Sequence, residues 1–307
     1  MKATIHKITL THKDKVLFPK FGITKKQVFN YYENIANTML PYLKDRPLTM
    51  QRFPKGIGDE GFFQKNAPDY FPEWILKIQV KKMDGWVNQI VCNSRETLLY
   101  LVNQYVLTFH VALSKVEKID YPDKLIFDID PPKGNFKLAI KAAKALRQLL
   151  EEKLELKAYV MTSGSKGLHI AVPLKGGQNF DEVRNFAKLV ANYICANNPT
   201  EFTTTIRKDK REGRLYIDFL RNSYAQTSVA PFSIRAFENA PVATPLYWDE
   251  LNDPKLNAQY YTIDTIFKRL EIVGNPWEGF EQNAKDYSNA LKLLEQLMSS
   301  KKSDKVR

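Results

Sequence analysis

The chain has 307 residues, is 44% hydrophobic and carries 46 Lys or Arg against 34 Asp or Glu, which gives a formal net charge of +12 at pH 7. This composition is that of a globular protein, and the sequence has no apolar run of the roughly twenty residues that a membrane-spanning helix needs. Its two cysteines are far apart, which excludes a disulfide framework and a cysteine-based zinc site.

The excess of positive charge is informative about binding partners and not about the fold, and it indicates that the chain binds a polyanion. A generally basic surface with no such partner is the alternative. The first residues contain no apolar segment typical of a secretory signal. We therefore expect a soluble, cytoplasmic protein with no membrane partner and no zinc cofactor.

The first informative segment covers residues 14–43. Thr24 and Gln27 have the spacing of a capping box, and apolar residues recur at helical spacing after them, which predicts a helix that begins at Thr24. Lys25 then lies in the first turn, where a cation opposes the helix dipole. A phosphate bound at the free N–H groups of that turn would reverse this effect, and Lys15 could reach the same point. Solvated lysines are the alternative.

Residues 46–53 are predicted to form a strand, and a loop then leads to the pair Phe62 and Phe63. Adjacent side chains on a strand face opposite ways, so at most one of these rings can be buried on a half-exposed element. The other ring is available to stack on a base, with Lys65 nearby for the charge of a nucleic-acid backbone. Burial of both rings is the alternative.

His110 lies in a predicted strand over residues 106–111, which follows two short strand patterns within 74–91 and a helix over 95–105. It alternates with apolar neighbours. A histidine in such a position has either a structural or a functional role, and the strand alone does not separate the two.

Residues 124–132 form an apolar run that ends in Asp128, Asp130 and two prolines. On a strand the two carboxylates share one face, with Cα atoms roughly 6.5 Å apart. That separation lets them share metal ions about 3.5–4 Å from each other. The proline pair ends the strand and leaves the carboxylates open to a ligand. The alternative is an acidic strand end that runs into a turn.

Residues 162–169 form a turn rich in Gly, Ser and Lys between two predicted strands. Its spacing differs from that of a Walker phosphate loop. The hydroxyl of Ser163, the ammonium of Lys166 and free N–H groups suit phosphate oxygens. Strand alternation places His169 on the face opposite the buried side chains. A mobile hairpin is the alternative.

Residues 201–213 lack a core pattern and contain four basic side chains, Arg211 among them, so they form either a solvated turn or a nucleic-acid finger. Asp218 lies in the next strand among apolar neighbours, where an unpaired carboxylate is costly. Its partner is therefore a metal ion or an arginine, either Arg221 or Arg235. The remaining predicted helices cover residues 136–154, 181–195, 262–273 and 283–298.

Asp128 and Asp130 on one strand, the turn from Ser163 to His169 and Asp218 follow in one order at one set of spacings. In this the chain resembles the polymerase domain of bacterial ATP-dependent DNA ligase D, a branch of the archaeo-eukaryotic primase superfamily. The resemblance extends from residue 14 to about residue 280. It implies an α+β fold in which a largely antiparallel, RRM-like catalytic sheet packs with an N-terminal α/β module.

The resemblance also implies a domain organisation. We expect one polymerase/primase domain over residues 1–295, followed by a flexible tail over 296–307. Within the domain we expect an N-terminal module over about 1–115, the catalytic sheet over about 116–240 and a helical part over about 241–295.

The resemblance implies a role for individual positions. The expected ligands of two Mn²⁺ or Mg²⁺ ions, and the catalytic carboxylates, are Asp128, Asp130 and Asp218. The expected nucleotide-binding residues are His110, Ser163, Lys166, His169, Arg221, Arg235 and Arg52. The expected DNA-binding residues are Lys15 and Lys25 at a 5′-phosphate, together with Phe62, Phe63, Lys65 and Arg211. The sequence departs from the family at Ser165, where Gly is usual, and at Gln51, where some relatives have a basic residue.

The function implied is a template-dependent nucleotidyltransferase that fills gaps and extends 3′ ends at DNA breaks in prokaryotic non-homologous end joining, with a preference for ribonucleotides. The expected partners are nucleoside triphosphates, gapped or overhanging DNA at the nucleoid, Ku and an ATP-dependent DNA ligase. A non-catalytic DNA-end binding module with a vestigial metal site is the alternative, but it would gain nothing from three carboxylates that face phosphate. A sugar-nucleotide glycosyltransferase would leave the charge of +12 unexplained.

Overall fold

The computed structural model describes residues 6–82 and 84–304, the side chains of 301–304 excepted. The chain forms two compact units that alternate along the sequence. The first unit comprises Met1–Glu117, Thr227–Thr244 and Gln259–Asn275, and the second comprises Lys118–Gln226, Pro245–Ala258 and Pro276–Arg307.

Fourteen strands and six α-helices are present in the described residues. The strands are β1 (Val16–Phe18), β2 (Ile23–Thr24), β3 (Leu48–Arg52), β4 (Phe62–Gln64), β5 (Lys77–Lys82), β6 (Gly85–Ile90), β7 (Val106–Ala112), β8 (Lys124–Asp130), β9 (Tyr159–Thr162), β10 (Leu168–Pro173), β11 (Phe202–Thr203), β12 (Leu215–Asp218), β13 (Thr227–Val229) and β14 (Pro245–Leu246). The helices are α1 (Lys25–Leu43), α2 (Arg95–Asn103), α3 (Phe136–Arg147), α4 (Phe180–Asn197), α5 (Ile266–Val273) and α6 (Ser288–Asp304).

The first unit is built on an antiparallel sheet in the order β13-β7-β3-β4. Helices α1 and α2 pack against each other, and their apolar faces join β3 and β7 in one buried cluster. The capping box at the start of α1 is confirmed, because the Thr24 side chain accepts from the Gln27 N–H and the Gln27 side chain accepts from the Thr24 N–H.

The second unit is built on a six-stranded sheet in the order β11-β12-β8-β10-β9-β14. All neighbouring strands are antiparallel except β11 and β12. Strand β8 lies between β10 and β12, and helices α3 and α4 pack on it. Leu125, Phe127 and Ile129 of β8 are fully buried. The expected α+β fold with an antiparallel catalytic sheet is confirmed.

The segment 227–244 belongs to the first unit, unlike the expected boundary at residue 240. Strand β13 pairs with β7, Tyr31 donates its hydroxyl to the Phe232 carbonyl at 2.7 Å, and the Ile234 N–H donates to the Tyr32 hydroxyl at 2.9 Å. These bonds join segments about 200 residues apart in sequence. Each unit is therefore built from segments that are not contiguous in the sequence.

Three elements differ locally from the sequence expectations. Strand β11, with the buried Phe202, lies in the segment 201–213 that was expected to be all loop. Helix α3 ends at Arg147 and continues as a π-helical turn, Gln148–Lys153. Helix α6 extends to Asp304, so residues 296–304 of the expected flexible tail are helical, since the Gln, Leu, Met and Lys residues in this segment favour helix.

Residues 305–307 of that expected tail lie outside the described part of the chain. Across 6–82 and 84–304, no helix is both long and apolar enough to cross a membrane.

Candidate functional site

The three predicted carboxylates converge on one face of the sheet in the second unit. Asp218 on β12 lies directly opposite Asp128 on β8, and Tyr216 lies opposite Asp130. Residues directly opposite each other on antiparallel strands share a face, as do residues two apart on one strand. Asp128, Asp130 and Asp218 therefore point to the same side, although about 90 residues separate the third from the first along the chain.

Asp128 is held by two cationic or ionisable side chains. The Arg221 Nε donates to its Oδ2 at 3.2 Å, and the His169 Nε2 lies 3.3 Å from its Oδ1. His169 reaches this point because it is the register partner of Asp128 on β10. Burial alone would raise the pKa of Asp128, but the charges and hydrogen bonds of His169 and Arg221 outweigh burial and hold this pKa well below its usual range.

The negative charges of Asp218 and Asp130 are neutralised less by cationic side chains than the charge of Asp128 is. The Oδ1 of Asp218 accepts from the Leu220 N–H at 2.7 Å and from the Tyr216 hydroxyl at 3.2 Å, while the Arg221 Nε lies 3.7 Å from its Oδ2. Burial, followed by repulsion from Asp128, raises the pKa of Asp130 and of Asp218 above the usual value. The cluster thus holds more negative charge than its partners neutralise.

Carboxylate oxygens are the donors that Mg²⁺ and Mn²⁺ prefer, so the donor set fits such ions chemically. The raised pKa values of two of the three carboxylates point the same way, because a divalent cation would relieve their repulsion. In the described ranges, no three Asp, Glu, His or Cys side chains are already grouped around one ion position. Asp128 and Asp218 are turned to their protein partners, so ion binding requires these side chains to rotate.

The predicted phosphate turn follows β9 and leads into β10. The Ser163 hydroxyl oxygen accepts from three backbone N–H groups, those of Ser165, Lys166 and Gly167, at 3.1–3.3 Å. A Cβ at Gly167 would lie 1.8 Å from the Ile129 carbonyl oxygen, so only glycine allows the turn to lie against β8.

The left-handed residue of the turn is Gly164, with φ 63°, and not Ser165. Serine at position 165, where glycine is usual in the family, therefore brings no left-handed backbone strain. Lys166 is exposed at the tip of the turn, whereas His169 is buried. The turn thus presents one ammonium group next to the strand that carries the acidic pair.

The basic loop also makes contacts at this site. They involve Arg211, whose position the sequence did not predict, and Tyr216, which the sequence did not single out. Arg211 donates to the carbonyl oxygens of Thr205 and Ile206 at 3.0 and 2.9 Å, and its guanidinium lies 3.9 Å from the centre of the Tyr216 ring. Tyr216 in turn contacts Asp218. The basic loop is therefore connected to the carboxylate cluster through one tyrosine.

Asn222 is fully buried and bonds to both the N–H and the carbonyl of Ile126, two residues before Asp128, each at 2.8 Å. It also donates to the Phe219 carbonyl at 2.9 Å. Asn222 thereby fixes the loop after β12 to the backbone of β8. A buried carboxamide in such a place has no local sequence signal, and only its position next to Arg221 could have suggested it.

The predicted lysine pair lies in the first unit, at the start of α1. Lys25 is fully buried, and its ammonium donates to the Asn103 Oδ1 at 2.8 Å, the Thr11 carbonyl at 2.9 Å and the Thr11 hydroxyl at 3.3 Å. The ammonium groups of Lys25 and of the exposed Lys15 lie 4.2 and 5.3 Å from the centre of the Tyr105 ring. Burial, followed by repulsion from Lys15, lowers the pKa of Lys25 to about 8.

The backbone at this helix start differs from the expectation. The N–H groups of Lys25 and Lys26 donate to the carbonyl oxygens of Lys15 and Lys13 at 2.8 and 2.9 Å, and the Gln27 N–H donates to the Thr24 hydroxyl. These amides are therefore not available to a phosphate, because the preceding segment folds back onto them. Of the polar groups at this helix start, the lysine ammonium groups are the ones left for an anion to contact.

The predicted aromatic pair is exposed on both sides of the short strand β4. Phe62 and Phe63 are 45% and 63% exposed, so the alternative of joint burial is wrong. The Phe63 ring contacts the His110 ring edge-on at 5.5 Å, and the guanidinium of Arg52 lies 5.6 Å from the Phe62 ring. Exposed Lys65 follows the pair. Both rings thus offer surface for stacking.

Arg52 itself is buried and donates to the Gln104 carbonyl, the Gln64 side chain and the Tyr70 hydroxyl at 2.8–3.2 Å. These bonds tie β3 to β4 and to the end of α2. Arg235 lies in the first unit, where its N–H donates to the Pro241 carbonyl at 2.7 Å. The arginine that pairs with Asp218 is Arg221.

Comparison with known proteins gives the family. Residues 24–277 match the model of the LigD primase-polymerase domain. The Bifunctional non-homologous end joining protein LigD of Bacillus subtilis is 36% identical over 282 residues, 91% of this chain and 45% of that protein. The Multifunctional non-homologous end joining protein LigD of Mycolicibacterium smegmatis is 34% identical over 272 residues, 88% of this chain and 35% of that protein. The chain thus spans less than half the length of these relatives.

A solved structure agrees with the sequence comparison. The polymerase domain from Mycobacterium tuberculosis ligase D in complex with DNA superimposes with a TM-score of 0.84 at 31% identity. The alignment covers 91% of this chain and 99% of that domain. The chain belongs to the LigD primase-polymerase domain family.

Proposed function

We propose that the chain is a template-dependent nucleotidyltransferase that fills gaps and extends 3′ ends at DNA breaks in non-homologous end joining. The observation that carries this proposal is the convergence of Asp128, Asp130 and Asp218 on one sheet face, beside His169 and Arg221, in a chain of the LigD primase-polymerase family. Like charges are gathered there at a cost to folding, which indicates a ligand of opposite charge.

Asp128, Asp130 and Asp218 would hold two divalent cations, Mg²⁺ or Mn²⁺. When bound, such ions activate a primer 3′-hydroxyl and neutralise the pyrophosphate that leaves. Arg221 and His169 orient Asp128 from either side, and Tyr216 orients Asp218. These three side chains hold Asp128 and Asp218 on the sheet face without an ion.

A further group of residues is proposed to bind the nucleoside triphosphate. Ser163, Lys166 and His169 would contact its phosphates, since the turn that carries them lies against β8 and exposes the Lys166 ammonium there. Arg221 and Arg235 would add positive charge where negative charge develops. For His110 we propose contact with the sugar. For Arg52 we propose the nucleotide-binding role that the resemblance implies, with a guanidinium that also supports the neighbouring aromatic strand. A preference for ribonucleotides is part of this proposal.

DNA would be bound by three groups of residues. Lys15 and Lys25 would bind the 5′-phosphate at a gap, as two ammonium groups on one tyrosine ring can attract a dianion. Phe62, Phe63 and Lys65 would meet the template and the downstream strand, and Arg211 would act from its loop. The net charge of +12 agrees with such a partner. Ku and an ATP-dependent DNA ligase are the proposed protein partners.

The activity is tested on a gapped duplex with a 5′-phosphate, in the presence of Mn²⁺ and either ribo- or deoxynucleotides. We expect templated extension, faster with ribonucleotides, and its loss in Asp128→Ala. Asp249→Ala, at an exposed position of the same unit, is the matched control and should extend normally. Tight binding of the duplex with no extension by the unmodified chain would instead identify a non-catalytic end-binding module.

Recognition of the 5′-phosphate is tested separately, by the ratio of affinities for duplexes with a 5′-phosphate and a 5′-hydroxyl. Lys15→Gln combined with Lys25→Met should bring this ratio close to one. Lys44→Gln combined with Lys268→Gln removes the same charge from exposed positions of the same unit and should leave the ratio unchanged. An unchanged ratio in the first double variant would refute this part of the proposal.

A further inference from the structure

The pocket around Lys15 and Lys25 contains no carboxylate partner among the described residues. The Lys25 ammonium contacts one carbonyl, one hydroxyl and one carboxamide oxygen, all of them neutral, and both ammonium groups face the ring of Tyr105. Buried lysines are usually paired with an acidic residue. Two positive charges are therefore held here without being neutralised.

Tyr105 has an unusual backbone conformation for a large side chain. It follows the C-cap of α2, and its φ of 67° lies in the left-handed region, where helices commonly place glycine. The backbone is fixed there, because the Tyr105 N–H donates to the Val102 carbonyl and its own carbonyl accepts from the Phe53 N–H, both at 2.9 Å. A strained position occupied by a ring that faces two cations indicates that the ring itself is needed.

Asn103 uses all of its side-chain groups in the same pocket. Its Oδ1 accepts from the Lys25 ammonium at 2.8 Å and from the N–H and hydroxyl of Thr11 at 3.1 Å each. Its Nδ2 donates to the Thr9 carbonyl at 3.1 Å. The carboxamide is thus fixed in one orientation and presents an oxygen to the lysine without carrying charge.

An aspartate at position 103 or a glutamate near the ring would hold the lysines more strongly, but it would also cancel the field that an incoming anion feels. The face of an aromatic ring attracts a cation through its quadrupole and leaves the net charge unchanged. A carboxamide does so through its dipole. Neutral partners therefore position two ammonium groups and keep both charges available.

We infer that Tyr105 and Asn103 are positioning residues of the 5′-phosphate site, which hold Lys25 and Lys15 in place by neutral contacts so that their charge remains available to a terminal phosphate. This inference rests on the proposed recognition of a 5′-phosphate by the two lysines. It adds residues that are not expected to touch the DNA themselves. It also specifies why an uncharged pocket wall is required.

The test uses the affinity ratio for gapped duplexes with a 5′-phosphate and a 5′-hydroxyl, measured on the full chain by fluorescence anisotropy. Tyr105→Phe keeps the ring and should keep the ratio. Tyr105→Asn removes the ring, but asparagine tolerates the left-handed backbone, so the fold is expected to persist. The ratio should fall about 5- to 30-fold in Tyr105→Asn.

A second measurement avoids any dependence on folding of the asparagine variant. A trifluorinated phenylalanine at position 105 keeps the size of the ring and weakens its quadrupole, so the ratio should fall below that of Tyr105→Phe. One outcome is that the asparagine and the trifluorinated phenylalanine at position 105 both leave the ratio at its original value while Lys15→Gln with Lys25→Met brings it close to one. In that case the inference about Tyr105 is overturned and the phosphate site stands. If the lysine variant also leaves the ratio unchanged, the proposed phosphate recognition fails as well.

Discussion

The carboxylate cluster and the lysine pocket both hold like charges close together, but the cluster uses charged partners and the pocket uses neutral ones. Each gathers like charges in a partly buried place, where desolvation opposes ionisation. In the cluster, Asp128 is paired with Arg221 and His169. In the pocket, Lys25 has only neutral partners, of which Asn103 is the nearest.

The difference concerns what each site keeps available for a ligand. A carboxylate that already has cationic partners is held in place and must exchange them for an ion. A lysine with neutral partners retains its full charge for a phosphate. Substitutions at the two sites and a change of pH can test this contrast.

The largest effect is expected when one carboxylate of the cluster loses its charge. Asp218→Asn keeps the size of the side chain and its bond from the Leu220 N–H. We expect steady-state extension of a gapped duplex to fall about a hundredfold or more, because an electrostatic group at the reacting centre is lost. Asp249→Asn is the matched control. Extension within a factor of a few of the unmodified chain would place the chemistry elsewhere.

The second change gives the lysine pocket a charged partner, as in the carboxylate cluster. Asn103→Asp places a carboxylate where the Lys25 ammonium now contacts a carboxamide. We expect the preference for a 5′-phosphate over a 5′-hydroxyl to fall about tenfold or more, because the new charge pairs with the lysine at short range. Asn257→Asp, at an exposed position, adds the same charge as a control. An undiminished preference would show that neutrality of the pocket wall is irrelevant.

The third change tests how the cluster is positioned. Tyr216→Phe removes only the hydroxyl that donates to Asp218 and keeps the ring beneath Arg211. We expect the Mn²⁺ concentration for half-maximal extension to rise about tenfold, and the rate at saturating Mn²⁺ to stay close to its original value. Mn²⁺ binding followed by calorimetry should weaken in parallel, whereas Tyr247→Phe should change neither. A lower rate with unchanged Mn²⁺ affinity would contradict a positioning role.

The smallest effect is expected from pH. The pKa of Lys25 is lowered to about 8, chiefly by burial and then by Lys15. Above this pH the free protein loses the Lys25 charge, while a terminal phosphate remains a dianion, so the attraction weakens as pH rises. Between pH 7 and pH 8.5 we expect the 5′-phosphate preference to fall about threefold, with the 5′-hydroxyl duplex as the internal reference. A preference that rises over this range would have the wrong sign.

Features set by local chain geometry could be predicted from the sequence. The common face of Asp128 and Asp130 follows from strand alternation, and the start of α1 follows from the capping pair Thr24 and Gln27. The turn before His169 could be predicted from its glycines in the same way. Each of these features depends on residues within a few positions of one another.

Features that depend on distant segments could not be predicted. The amides at the start of α1 were expected to be free, but the chain before β1 folds back to accept their hydrogen bonds. Asn103 meets Lys25 across 78 residues, and Asn222 meets Ile126 across 96. No periodicity joins such pairs, so these residues carry no sequence signal. The left-handed Tyr105 shows only as a helix that ends without glycine.

The return of β13 to the first unit is a similar case. Its three residues are too short for a pattern, and their partner strand β7 lies more than a hundred residues earlier. The sequence therefore predicted which residues carry charge and which face they share, whereas the groups that hold those charges became visible only in three dimensions.

The most direct test of the carboxylate cluster is anomalous diffraction from crystals grown with Mn²⁺ and a non-hydrolysable nucleoside triphosphate. We expect two manganese peaks, each bound by oxygens of Asp128, Asp130 or Asp218, with Asp128 turned away from Arg221. Peaks confined to other parts of the molecule, with Asp128 still paired to Arg221 and His169, would contradict this expectation.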